Sequence, residues 1–205
     1  MSGTASGRRR QVDLRREEIL GATLEQVDTL GLASTRVVDV AKSLGVSSGL
    51  VFYHFGTKDA LLAEAFAHAV ERDLERLQTR TRRASDPSER LRQVVRRYGP
   101  TGSAEGWRLW IDAWAVAQRE PEIRSVLRDM DKRWCAVFRE VVEDGVDKGV
   151  FTCPDPDTSV AKVSALLDGL SVATLVYRTV TRTQLRRWVA EAVAHEVGAT
   201  PESLL

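Results

Sequence analysis

Residues Gly45–Phe55, GVSSGLVFYHF, set two serines and a glycine ahead of a run that closes on three aromatics and a histidine. Ser47, Ser48, Tyr53 and His54 carry hydrogen-bonding tips of the kind that reach phosphate oxygens or base edges, and Gly49 allows backbone to approach a sugar-phosphate strand closely. Val51 and Phe55 lie one helical turn apart, so they can anchor the same segment to an apolar seam. A plain alternative is that Phe52, Tyr53 and His54 fill a small core and leave their polar ends at the surface. Lys58 weighs against it. A cation in the first turn of a helix opposes the helix dipole by several tenths of a kcal/mol, and a phosphate facing that terminus reverses the balance.

A second set of chemistry-bearing residues is aromatic. Trp107, Trp110 and Trp114 are spaced i, i+3, i+7 and share one helix face, with Ile111 beside them and Asp112 offset. Trp134 and Phe138 form an i, i+4 pair, and Tyr177 follows on a later helix. Either these rings fill a core, or they line a cavity for a small molecule; indole faces holding a cation would add about 0.5–2 kcal/mol. No catalytic set accompanies them. His54, His68 and His195 are scattered, no Glu-x-x-His or His-x-x-x-His spacing occurs, and Cys135 and Cys153 form no Cys-x-x-Cys pair. The expectation is a non-enzyme with no metal and no cofactor.

The elements that must position these residues are helical. The 205-residue chain is 43% hydrophobic and 29% charged with a net charge of +1, a globular balance without bulk attraction to nucleic acid. Charge is local instead: residues 8–16, RRRQVDLRR, hold five arginines and one aspartate, either a solvated tail or a DNA-seeking arm. The N-terminus lacks an apolar signal core, and the apolar stretch Val163–Tyr177 is broken by Asp168, so a cytoplasmic protein without a membrane partner is expected.

Helix one runs from about Asp13 to Leu30 and stops at Gly31. Helix two follows a Thr35 cap, with Val37, Val40, Ala41 and Leu44 as its seam, and Gly45 ends it. Helix three is capped by Ser47 and ended by Gly56. Helix four begins at Thr57 and turns Leu62, Phe66, Ala69 and Val70 inward. Asp86, Pro87 and Glu89 open helix five at 87–98. The TGSAEG loop precedes helix six, about Ala104 to Arg119; Pro121 opens helix seven, and Asp155-Pro156 helix eight. A Thr181–Gln184 capping box opens helix nine, 182–197. The expected architecture is all-α, about nine helices: a flexible basic arm (1–12), a three-helix helix-turn-helix domain (13–60), a larger bundle for ligand binding and dimerisation (61–198), and a tail (199–205).

The run from Thr35 to Leu62, TRVVDVAKSLGVSSGLVFYHFGTKDALL, resembles the DNA-binding domain of the tetracycline-repressor (TetR) family of bacterial regulators. The motifs that carry the resemblance are DVA before LGVSSG, then YHF and TKDALL. WIDAWAVAQREPEIRSVL and LLDGL make the remainder similar in layout to the ligand-binding bundles of the choline-responsive betaine repressor type. The resemblance implies that helix three is the recognition helix, with DNA contacts from Thr35, Ser47, Ser48, Gly49, Tyr53, His54 and Lys58. Leu50 and Phe52 stand where threonine and tyrosine are frequent, and Leu50 could instead touch a thymine methyl. Val38 replaces a frequent arginine, leaving Arg36 to supply a phosphate contact, and arginines 8–10 could enter a minor groove.

The resemblance implies a ligand-binding bundle, for whose cavity the aromatic residues Trp107, Trp110, Trp114, Trp134, Phe138 and Tyr177 are the candidates by spacing. It implies a two-fold interface on helices eight and nine around Ala165, Gly169, Val172, Ala173 and Val189, small or apolar residues that equally fit intrachain packing. The expected function is a homodimeric repressor that binds a palindromic operator in double-stranded DNA and leaves it when a small-molecule effector binds. The alternatives are a helical-bundle enzyme and a ligand-independent dimeric DNA-binding protein.

Overall fold

Apolar residues at helical spacing, interrupted by glycine, proline and capping side chains, give helices joined by short turns. The computed structural model describes residues 3–98 and 105–205, with side-chain surroundings for 15–97 and 106–205. Its helices are α1 (Gly3–Leu30), α2 (Val37–Ser43), α3 (Ser48–Phe55), α4 (Lys58–Arg83), α5 (Pro87–Tyr98), α6 (Glu105–Ala117), α7 (Pro121–Asp147), α8 (Pro156–Leu175) and α9 (Arg182–Val197), followed by a 3-10 turn at Pro201–Leu204. No strand occurs among the described residues. Two compact units result. The first holds the chain through Val70 together with Leu109–Arg128; the second holds Glu71–Arg108 and Asp129–Leu205.

In the first unit, Ile19, Leu20 and Ala22 of α1 meet Val37, Val40 and Ala41 of α2, Val51 and Phe55 of α3, and Leu61 and Ala65 of α4. Each large aliphatic or aromatic side chain buried in this way stabilises the unit by about 1.5–3 kcal/mol. Gly45, at φ +66, makes the turn between α2 and α3 in a conformation that a side chain would strain. Arg16 pins three helices at once. Its guanidinium lies 4.4 Å over the Phe55 ring, donates to the His54 carbonyl at 2.6 Å and pairs with Glu64.

In the second unit, Leu91 and Val94 of α5, Trp134, Val137, Phe138 and Val141 of α7, and Val163 and Leu167 of α8 are buried, as are Leu185, Val193 and Val197 of α9. α8 packs on α9, and the 3-10 turn packs on α5 and α9. Gly145 admits no side chain, because a Cβ there would stand 2.0 Å from Cδ2 of Phe151. α8 is by length and composition apolar enough to cross a membrane, and Val160, Val163 and Leu167 form its buried face.

Several expectations are corrected. α1 begins at Gly3, not near Asp13, so residues 3–12 continue the helix; the side chains of arginines 8–10 lie outside the described ones. Thr35 caps nothing, since Arg36 occupies the cap position of α2 without a side-chain bond. Asp86 does cap α5, accepting from the Ser88 and Glu89 amides at 3.2 and 3.3 Å, while the Glu89 carboxylate accepts from Arg92 and Gln93. The Thr181–Gln184 capping box is closed in both directions. Most of the TGSAEG loop lies outside the described residues.

Candidate nucleic-acid interface

α3 is positioned by its two ends and its two anchors. The Ser47 hydroxyl accepts from the Leu50 amide at 3.3 Å, which satisfies one of the orphan donors of the first turn. At the other end Gly56, at φ +74, closes the helix through its amide on the Phe52 carbonyl at 2.8 Å. Val51 and Phe55 are buried. That leaves the opposite edge in solvent: Tyr53 is 79% exposed and Phe52 45% exposed. Ser47 and Gly49 are exposed too, whereas Ser48, Leu50 and His54 are half-buried. The Tyr53 and His54 rings meet edge to face with centroids 5.4 Å apart, so the phenol and the imidazole act as one presented surface. On α2 the Arg36 flank is exposed, and Val38 stands out at 57% exposure beside buried Val37 and Val40.

One expected contact is corrected, and a second gains a partner within the chain. Thr35 is only 1% exposed, and its hydroxyl donates back to the Gly31 carbonyl at 2.9 Å, so that hydroxyl is not offered to DNA. Lys58 is half-buried, and its Nζ donates to the Ala33 carbonyl at 3.2 Å. That carbonyl takes one of the three ammonium donors at the α1–α2 turn, which partly offsets the unfavourable dipole position and leaves two donors for a phosphate.

The aromatic residues divide between the units. In the first, Trp110 meets Phe66 of α4 edge to face at 5.1 Å, with Trp114 half-buried on the same helix. In the second, Trp134 and Phe138 are buried and Trp107 is half-buried. Tyr177 is displaced from this set: α8 ends at Leu175, and the ring beyond it is 71% exposed. Among the proposed interface residues, Ala165 and Gly169 are exposed and Val172 and Ala173 half-buried. Val189 is corrected to the interior, where it lines an intrachain cleft with Val95, Leu185 and Leu204.

Sequence reasoning missed two carboxylates of the second unit. Burial raises the pKa of Asp131, and burial, then the Asp131 charge, push Asp168 up to about 6. Neither makes an ion pair among the described residues. Cys135 Sγ lies 4.0 Å from Asp131 Oδ1 and 3.8 Å from Ser164 Oγ, and the buried Ser171 hydroxyl has no hydrogen-bond partner among the described residues. A polar line thus runs between α7 and α8. The signal was Asp168 itself, an acid inside an apolar helix. No cluster of three or more His, Cys, Asp or Glu side chains suited to a metal occurs among the described residues.

A two-turn helix held on buried Val51 and Phe55, with hydroxyl, phenol and imidazole groups turned to solvent after a tight glycine turn, defines a helix-turn-helix DNA-binding protein. The particular family follows from comparison: the chain belongs to the TetR family of bacterial transcriptional regulators. The model for bacterial regulatory proteins of the tetR family matches residues 19–65, and that for the BetI-type transcriptional repressor C-terminal region matches 87–198. The chain is 30% identical over 167 residues to the HTH-type transcriptional regulator BetI of Stenotrophomonas maltophilia, covering 77% of this chain and 79% of the relative. It is 31% identical over 166 residues to the BetI of Burkholderia mallei, covering 77% and 80%. A Saccharomonospora viridis protein described as a transcriptional regulator and solved in complex with choline is 27% identical, with TM-score 0.79 over 90% of this chain and 98% of that one. A TetR regulator of Haloarcula marismortui, 22% identical with TM-score 0.80 over 90% and 99%, shares the fold. The protein is a DNA-binding regulator and not an enzyme.

Proposed function

We propose that the protein is a cytoplasmic homodimeric repressor that holds a palindromic operator and releases it when a small organic cation binds the C-terminal bundle. The observation that carries the DNA half is the solvent-facing edge of α3, where Tyr53 and Ser47 lie over buried Val51 and Phe55. Ser47, Ser48, Gly49, Tyr53 and His54 supply phosphate and sugar contacts, and Leu50 and Phe52 supply apolar contacts to base edges. Two-fold pairing is supported by the exposed face of α8, where Leu166 stands with Ala165 and Gly169. Pairing places two recognition helices on successive major grooves about 34–36 Å apart.

The effector class is supported by three features. The C-terminal residues match the BetI-type repressor, a similar solved protein holds choline, and Asp131 and Asp168 lack a cation. A cation beside them would remove the mutual repulsion, and indole faces such as that of Trp134 would add attraction.

The test is fluorescence anisotropy at fixed salt on duplexes from the region upstream of the chain's own gene, with and without choline. Specific binding should exceed binding to random DNA by at least a thousandfold. Choline should weaken it by roughly 5- to 150-fold, the range of a 1–3 kcal/mol coupling. Equal affinity for both DNAs defeats the reading, and unchanged affinity across a panel of cations defeats its effector half.

A further inference from the structure

The turn between α1 and α2 is held by side chains far away in sequence. Gly31 donates its amide to the Val27 carbonyl at 2.8 Å and ends α1. The next residue, Leu32, is buried, and its amide has left the helix ladder. That amide donates to Asp112 Oδ2 of α6 at 3.2 Å, across 80 positions of sequence. Lys58 of α4 clamps the following carbonyl, that of Ala33, and the Thr35 hydroxyl closes the turn on Gly31. A Cβ on Gly31 would lie 3.1 Å from Asp112 Oδ2, and Gly31 sits at φ +80. The close approach and the backbone conformation both require glycine there.

Asp112 is half-buried. It belongs to the unit that contains the DNA-binding helices, it makes no ion pair among the described residues, and a negative charge there opposes a polyanionic ligand. On the same helix, two residues earlier, Trp110 is seated edge-on against Phe66 of α4, which fixes the register from which Asp112 reaches the turn.

The geometry points to Asp112 as a positioning residue for operator recognition: by holding the Leu32 amide it sets the angle at which α2 and α3 leave α1. It touches no DNA. This rests on the operator-binding reading above, in which two recognition helices must meet grooves at a fixed spacing, so that a small change in angle at each turn shifts both helices.

The experiment compares Asp112→Ala and Asp112→Asn with the parent protein. Three readouts are taken: affinity for the operator and for random DNA at one salt concentration, affinity for operators with one base pair inserted or removed between half-sites, and amide exchange at Leu32. Asn keeps an acceptor oxygen and Ala does not. Asp112→Ala is expected to lower operator affinity roughly five- to tenfold with random-DNA affinity unchanged, to flatten the spacing preference, and to speed Leu32 exchange; Asp112→Asn restores most of each. Equal losses on operator and random DNA, or an unchanged spacing preference, overturn the positioning role. Unchanged Leu32 exchange in Asp112→Ala overturns the bond itself. A parent protein that does not distinguish operator from random DNA sinks the operator reading instead, and Leu32 exchange still decides the bond.

Discussion

Replacing Asp168 by asparagine should make the protein more stable at neutral pH, and the gain should vanish in acid. The Asp168 carboxyl is held at about 6 against an ordinary 3.8, chiefly by burial and secondarily by the Asp131 charge. At about 1.4 kcal/mol per pH unit, keeping it ionised at pH 7 opposes folding by up to about 3 kcal/mol. Partial exposure and solvent screening bring the expectation to about 1–2 kcal/mol. Because the folded pKa lies above the unfolded one, the folded state binds the extra proton between pH 3.8 and about 6, and stability from this group falls as pH rises through that window. Asp144, Asp155 and Glu196 run the other way: hydrogen bonds from Lys148, Thr158 and Ser159, respectively the largest cause for each, lower their values. What they contribute is lost as pH falls. Subtracting parent from variant cancels them. Urea unfolding followed by tryptophan fluorescence, at one protomer concentration and at steps from pH 4.5 to 7.5, should give a difference that opens with pH and then levels. A difference that is constant across that range, or a parent more stable than the variant at pH 7, refutes the argument.

Tyr53→Ala should leave the urea midpoint within about 0.5 kcal/mol of the parent, because the exposed ring packs little, while weakening operator binding about tenfold in the anisotropy assay. Lys58→Ala should differ from it by lowering stability about 0.5–1.5 kcal/mol as the bond to the Ala33 carbonyl is lost, read from the same unfolding curves. Gly145→Ala should destabilise by about 1–3 kcal/mol or more, since the new methyl overlaps the Phe151 ring; thermal melts by circular dichroism would show it. Leu166→Arg, on the exposed face of α8, should turn dimer into monomer in sedimentation velocity without loss of helix.

The helix order was legible because its signals are local. Valine and alanine at positions 37, 40 and 41 are buried as their spacing requires, and Ser47, Asp86, Asp155 and Thr181 cap the helices they precede. A cap needs only residues two or three positions away. The start of α1 was not legible, since Thr4 and Ser6 are cap-type residues with no apolar periodicity after them before Val12, and arginine is a good helix former that also occurs in tails. The bundle's acids escaped for another reason. Asp168 reads in sequence as an interruption of an apolar run, and only the arrival of α7, with Asp131 and Cys135, turns it into one of two repelling carboxylates.

Likeness to a family transfers positions, but burial decides what a side chain at that position can do. Thr35, Lys58, Tyr177 and Val189 show the difference. The first spends its hydroxyl on the Gly31 carbonyl and the second gives one ammonium donor to the Ala33 carbonyl, the third lies in solvent beyond α8, and the fourth is interior. For Lys58 and Val189 the outcome depends on partners distant in sequence, and for Thr35 and Tyr177 on where a nearby helix ends. The same logic explains why the bond from Leu32 to Asp112 has no motif. A backbone amide stranded at a helix end must find an acceptor, but which of the chain's 29 acids supplies it is fixed only when α6 meets the turn. The exposed edge of α3 was readable by contrast because its two anchors, Val51 and Phe55, lie one turn apart and leave Phe52 and Tyr53 on the solvent side.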